Sequence, residues 1–315
     1  MKIGAMRTLL RAALAFLLAT ALVAAAIRYV FPGIALAIGL DFERAKAGLV
    51  ERSVVLPDGT RIAYLEGGRG DALVLLHGFG ADKDNFTPIA PYLVGQYRIV
   101  VPDLPGFGNS SHDAAADYSP QAQAVRMSAF CRAVGIQRAH VGGNSMGGQI
   151  ALTWAAARPA EVQSLWLLDP AGIWSAPDSE LAKTYRGTDR NPLMVSSEEE
   201  FDALISLATT TRPTNVPRFL QDVMARRRIA NRPLEERIFK QIAADSIEAR
   251  IAGLKQSTLI VFGAQDRVID PATATILHGL LPRSHVVLMP GVGHLPMIEQ
   301  PAAAASDYIR FRDSM

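Results

Sequence analysis

The chain has 315 residues, 49% of them hydrophobic and 20% charged, with a formal net charge of +2. That is an ordinary globular composition, with length for one large core and an insertion. No Lys/Arg block exceeds Arg226-Arg227-Arg228, so the chain carries no electrostatic footprint for a nucleic acid; we read that triplet as a solvated helix face. A single cysteine, Cys131, cannot form an internal disulfide and reads as a buried thiol in an amphipathic helix.

The amino terminus differs in kind. Lys2, Arg7 and Arg11 flank or precede an uncharged run from Ala12 to Ile27, broken at Arg28 and resumed from Tyr29 to Leu40. A cleaved signal peptide would show this basic start, this apolar middle and small residues such as Ala24 and Ala26 near a cut. A retained anchor would cross roughly 30 Å of hydrocarbon with Ala12 to Ile27 plus part of the next run, Arg28 marking the interface. We favour the anchor, because a mature chain starting near Ile27 would still open on a second apolar segment. Basic residues before the span put the amino terminus in the cytoplasm and the rest of the chain on the outer, periplasmic-type side.

Asp41 to Leu49 reads as an amphipathic juxtamembrane helix ending near Gly48. Arg52 to Leu56 and Arg61 to Glu66 flank Pro57-Asp58-Gly59-Thr60, a hairpin by its Asp-Gly turn. Ala72 to Leu76 is unbroken apolar, as a strand buried on both faces should be, and delivers His77-Gly78-Phe79-Gly80. A second buried strand, Arg98 to Val101, leads to Asp103 and the Gly106-Phe107-Gly108 turn. A helix follows over Ser119 to Val134.

Arg138 to Gly142 is the next strand, ending at Gly143-Asn144-Ser145-Met146-Gly147, with a helix from Gly148 to a stop at Pro159. A serine between strand and helix with glycine two residues to either side is a nucleophile elbow. Such a serine needs a base and an orienting acid, and the expected chain order is Ser, acid, His. After the strand Ser164 to Asp169, a segment from 173 to 253 is helical in pattern and punctuated by Pro177, Pro192, Pro213, Pro217 and Pro233. Strand rhythm returns at Thr258 to Phe262, leading to Gly263-Ala264-Gln265-Asp266, then a helix over Ala272 to Leu281. The last strand, His285 to Met289, leads to Gly293-His294.

This alternation predicts an α/β fold with a mainly parallel sheet and helices on both faces. We divide the chain into residues 1–50 (membrane and juxtamembrane helix), 51–172 with 254–315 (core), and 173–253 (a helical cap). Phe79, Ser145, Asp266 and His294 all fall at the carboxyl ends of strands, where such sheets bind ligands.

From Arg52 to Arg312 the chain resembles the α/β-hydrolases, carrying four of their motifs in order: His77 to Gly80, Gly143 to Gly148, Gly263 to Asp266, and Gly293-His294. The longer phrases Gly78 to Asn85, Asp169-Pro170-Ala171-Gly172 and Ile229-Ala230-Asn231-Arg232 resemble membrane-anchored monoacylglycerol lipases and related bacterial lipases and phospholipases A. The resemblance implies an eight-stranded sheet, Ser145 as nucleophile, His294 as general base and then acid, and Asp266 as the residue that orients His294. It implies an oxyanion hole from the backbone N–H groups of Phe79 and Met146. Asp169, which also follows a strand, is the rival acid. His77 and Asp103 read as loop-setting residues.

No metal is expected, since His112, His140, His278 and His285 show no ligand spacing. No cofactor is expected either, because Gly106-Phe107-Gly108 lacks the third glycine of a dinucleotide loop. The implied activity is hydrolysis of acyl glycerols or glycerophospholipids through an acyl-enzyme. The expected partners are a lipid or acyl-ester substrate and the membrane, not nucleic acid; a homodimer through the anchor helix is left open. The alternative within enzymes is a carbon–carbon bond hydrolase of aromatic ring-fission products, whose elbow also reads Gly-Asn-Ser-Met-Gly-Gly. Those enzymes carry a Gly-Pro-Gly oxyanion loop where this chain has Phe79-Gly80-Ala81-Asp82. A non-catalytic binding protein on the same fold would carry a damaged triad, and this one is intact.

Overall fold

Eight strands form one sheet: β1 (Leu49–Val55), β2 (Arg61–Gly67), β3 (Asp71–Leu76), β4 (Tyr97–Pro102), β5 (Ala139–Asn144), β6 (Val162–Leu168), β7 (Ser257–Gly263) and β8 (Ser284–Met289). Their order is β1-β2-β4-β3-β5-β6-β7-β8, and β2 alone runs antiparallel to its neighbours. The structure is a computed structural model that describes residues 2–188, 190–211 and 216–315. Pro213, expected to punctuate the insertion, lies outside the described residues, as do the side chains of Lys2 and Ala24.

Alternation along a strand sends successive side chains to opposite faces, and each face of this sheet has its own core. Val74 and Leu76 of β3 join one cluster with Val141, Ile150, Trp154, Ile260 and Phe262. Leu73 and Leu75 join the other with Ile99, Val101, Trp166, Val261 and Tyr308. Trp166 stacks on Tyr308, ring centroids 4.3 Å apart at 16°. A fully buried aliphatic or aromatic side chain contributes about 1.5–3 kcal/mol, so a centre lined this densely makes a rigid platform for the loops at the strand ends.

The helices are α1 (Lys2–Tyr29), α2 (Pro32–Lys46), α3 (Pro120–Ala133), α4 (Met146–Ala157), α5 (Glu180–Thr188), α6 (Glu198–Ala208), α7 (Arg218–Ala243), α8 (Glu248–Ile251), α9 (Thr273–Leu280), α10 (Pro296–Glu299) and α11 (Pro301–Asp313). Among the described residues, the stretch between β6 and β7 carries helices α5 to α8 and no strand. In the sequence this stretch is marked by the absence of apolar strand runs after Asp169.

Two corrections concern the amino terminus. The span does not draw on the second apolar run as expected: α1 continues through Arg28 and ends at Tyr29, and Pro32 opens a new helix as its first residue. Nor is the juxtamembrane helix confined to Asp41–Leu49, because α2 takes in the second apolar run as well. The 24-residue stretch Met6–Tyr29, which contains 18 consecutive residues of mean hydropathy 2.2, is by length and composition enough to cross a membrane. Leu14, Phe16 and Leu22 on it are exposed. By contrast α2 is tied to the body: Leu36 is buried, and Arg44 donates to Asp84 through two bonds of 2.6 Å and to Glu51 at 2.6 Å.

Candidate active site

At the end of β5 all six strand residues are buried, and Ser145 follows with φ 53° and ψ −118°. That left-handed φ is strained for a non-glycine residue, at a cost of about 1–3 kcal/mol. It persists because three backbone bonds over-determine it. The N–H of Ser145 donates to the Leu168 carbonyl at 3.0 Å, and its own carbonyl accepts from Ala171 at 3.0 Å and Gln149 at 3.1 Å. The flanking glycines are sterically required: a Cβ on Gly147 would sit 2.1 Å from the Leu76 carbonyl oxygen, and one on Gly143 would sit 2.3 Å from Gly147. Helix α4 begins at Met146, two residues earlier than the expected Gly148. The glycine pair looks like a helix breaker in sequence, but the absent side chains are what let the helix approach β3 and Pro170. The Met146 amide therefore lies in the first turn of α4, among the N–H groups with no intrahelical acceptor and at the positive end of the helix.

His294 and Asp266 meet at the ends of β8 and β7. The Asp266 Oδ2 is 2.7 Å from His294 Nδ1, and Asp266 Oδ1 accepts from the backbone of Val268 at 2.7 Å and Ile269 at 3.1 Å. Both residues are buried. With a proton on Nδ1 shared with the carboxylate, Nε2 is left as the acceptor. The backbone ties this pair to the elbow, since the Asn144 side-chain amide donates to the His294 carbonyl at 3.0 Å. The His294 N–H also donates to the carbonyl of Ala208, at the end of α6, at 2.7 Å.

Asp169 behaves differently. It is fully buried at φ 46°, its Oδ1 accepts from the Gly263 N–H at 2.9 Å, and its Oδ2 has no partner. Burial, and then the neighbouring Asp266 charge, push its carboxyl well above the usual carboxylate range, so it holds its proton. It braces the start of the acid loop rather than His294. Asp169, Asp266 and His294 offer ligand atoms within 4.8 Å of one another. The Asp266 and His294 atoms are already paired at hydrogen-bond length, so a cation here would have to break that pair.

The loop after β3 lies against the elbow: a Cβ on Gly78 would be 3.4 Å from the Ser145 Cβ. The Ala81 N–H donates back to the Gly78 carbonyl at 3.3 Å, closing a turn with Gly80 at φ 67°. His77 is buried; its Nδ1 is 2.8 Å from the Gly78 carbonyl, and its Nε2 accepts from the Leu104 N–H at 2.9 Å. Burial lowers its pKa, keeping it neutral with the proton on Nδ1. Asp103 accepts from the Asn109 N–H at 2.7 Å and pairs with the buried Lys83 at 2.8 Å. Phe79 packs edge-on against Phe107 and Phe239, at 5.6 and 5.8 Å.

The reading of Arg226-Arg227-Arg228 as a solvated face needs correction. Arg226 and Arg227 are exposed, but the Arg228 side chain is only 12% exposed and pairs at 2.9 Å with the buried Glu235. The spacing Arg228, Asn231, Glu235 places three polar groups on one helical face and is the signal that sequence reading passed over.

Residues 71–301 match the alpha/beta hydrolase fold family. The chain is 41% identical over 284 residues to Lipase 3 of Moraxella sp. (strain TA144), covering 88% of this chain and 89% of that protein. It is 28% identical to the human monoacylglycerol lipase ABHD6, over 79% of this chain and 77% of the relative. Among solved structures, a membrane phospholipase A described as a bacterial virulence factor superposes with a TM-score of 0.87 at 40% identity, covering 96% of this chain and 98% of its own. The expected lipase- or phospholipase-type ester hydrolase is met by these relatives. With the elbow, the strand order and these matches together, the chain belongs to the α/β-hydrolase family.

Proposed function

We propose that the chain hydrolyses lipid esters at a membrane through a Ser145 acyl-enzyme, the reading carried by one observation: a buried Asp266–His294 pair tied to a strained serine elbow. His294 Nε2 takes the Ser145 hydroxyl proton as Oγ attacks the ester carbonyl. The tetrahedral oxyanion is received by the amides of Phe79 and Met146. On collapse, the protonated His294 hands its proton to the leaving alcohol oxygen, and a water then repeats the sequence to free the fatty acid. Proton transfer by a positioned His contributes roughly 10²–10⁴-fold. Each oxyanion donor adds about 3 kcal/mol in the transition state. Asp266 keeps the tautomer that makes Nε2 the base.

Names borne by relatives at about two-fifths identity support a lipid substrate over the carbon–carbon alternative, and so does the loop Phe79-Gly80-Ala81-Asp82 in place of Gly-Pro-Gly. The apolar α1 supports membrane association. Lys2, Arg7 and Arg11, ahead of the uncharged run Ala12 to Ile27, favour an amino terminus in the cytoplasm and a catalytic domain outside it. Helices α5 to α8 then act as the cap over the substrate path.

A fluorophosphonate probe tests this reading. Mass spectrometry should find the adduct on Ser145 and its formation should slow at least 100-fold in His294→Ala. An adduct on another residue, or wild-type labelling in that variant, would overturn it.

A further inference from the structure

Arg228 reaches from α7 to the loop after β3. Its Nη1 donates to the Gly80 carbonyl at 3.0 Å and its Nη2 to the Leu193 carbonyl at 2.9 Å. Nε and Nη2 meet the same Glu235 oxygen at 3.0 and 2.9 Å. The guanidinium also lies 5.9 Å from the centre of the Phe79 ring. There is no slack in this contact, because a Cβ on Gly80 would fall 2.1 Å from the Arg228 Cζ. One helical turn further, the Asn231 side-chain amide donates to the Gly106 carbonyl at 3.0 Å and to Glu235 at 3.4 Å.

Gly80 completes the turn that carries the Phe79 amide, and that turn rests on the elbow. A glycine-flanked turn has backbone freedom, and an oxyanion donor stabilises charge only if it is already in place. A charge-assisted bond to the exit carbonyl of the turn removes that freedom. We propose that Arg228, held by Glu235, is a positioning residue for the oxyanion hole: the inserted helix α7 fixes the Phe79 amide at the reacting carbonyl. Seating of the insertion on the core and completion of the oxyanion hole are then one event. This rests on the serine-esterase reading above. Arginine is required because its planar fork serves Gly80, Leu193 and Glu235 at once, which a point-charge ammonium cannot.

The test uses the full-length protein in detergent with p-nitrophenyl butyrate and the fluorophosphonate. Removing Arg228 alone strands a buried Glu235, so two variants avoid that: Arg228→Lys, which keeps the charge, and the double variant Arg228→Met/Glu235→Leu, which replaces the pair by apolar side chains. Both should melt near the wild type and keep KM within about twofold. Their kcat and phosphonylation rate should fall about 10- to 100-fold, the scale of a misplaced reacting group. A kcat and labelling rate equal to wild type in either folded variant overturns the proposal, as does a loss confined to KM. If wild type itself forms no adduct on Ser145, the serine-esterase reading has failed instead.

Discussion

Asp169 and Asp266 end neighbouring strands, and either could orient a histidine by position alone; what separates them is protonation and hydrogen bonding. Asp266 uses one oxygen on His294 and the other on two backbone amides, whereas Asp169 keeps a proton and supports Gly263. We expect Asp266→Asn to lower kcat by about 10⁴-fold, because an amide stabilises the wrong tautomer. Asp169→Asn, which can still accept from Gly263, should stay within a few-fold of wild type in p-nitrophenyl butyrate turnover; equal losses would reassign the acid. The same residue sets a pH dependence. A carboxyl whose folded pKa lies above its unfolded value binds more protons when folded, so its contribution favours the fold below about pH 4 and is lost as pH rises from there toward the raised pKa. Relative to wild type, Asp169→Asn should therefore gain stability in urea melts as pH rises above about 4. An unchanged difference across that range would mean that Asp169 is ionised in the fold.

At the level of elements, what was legible in the sequence followed from periodicity and from glycine. β3 could be placed because its residues are apolar without interruption, and the elbow because only glycine fits beside Leu76. Asp266 and His294 were legible from the loops that follow β7 and β8 and from the chain order of serine, acid and histidine. The Arg228–Glu235 pair was less so: its spacing with Asn231 marks one polar helical face, but such a face has the composition of a solvated surface until its neighbours are known. The break between α1 and α2 went unread, because a charged residue inside an apolar run was weighed and the proline after it was not. The elbow carries its own test: Gly147→Ala should both destabilise the fold by about 1–3 kcal/mol through overpacking and depress kcat, and a wild-type melt with wild-type turnover would show that α4 can move off β3. A second test concerns α2. Replacing Arg44 by Met leaves Asp84 and Glu51 beside each other without their shared cation, and should cost about 3 kcal/mol. A loss within 0.5 kcal/mol, about the size of an ordinary surface substitution, would mean that α2 is held by its apolar contacts alone.

Across the whole molecule, α1 meets the body near its carboxyl end, where Arg28 lies 4.7 Å from the centre of the Phe219 ring, while α2 is bonded to the body through Arg44, so the boundary between α1 and the body falls near Val30. Removing residues 1–30 should leave hydrolysis of a short soluble ester nearly intact. Release of fatty acid from vesicles should fall sharply, because a tethered active site works at a high effective lipid concentration that a diffusing one lacks. Equal vesicle activity would reduce α1 to an export signal. The central claim is that Ser145 performs lipid ester hydrolysis, and the most direct measurement is mass spectrometry of the lipids released from vesicles of glycerophospholipid with monoacylglycerol by wild type and by Ser145→Ala. Wild type should release free fatty acid, with lysophospholipid or glycerol as co-product, and the variant only background. Intact lipids with the wild type, or equal release by Ser145→Ala, would contradict it.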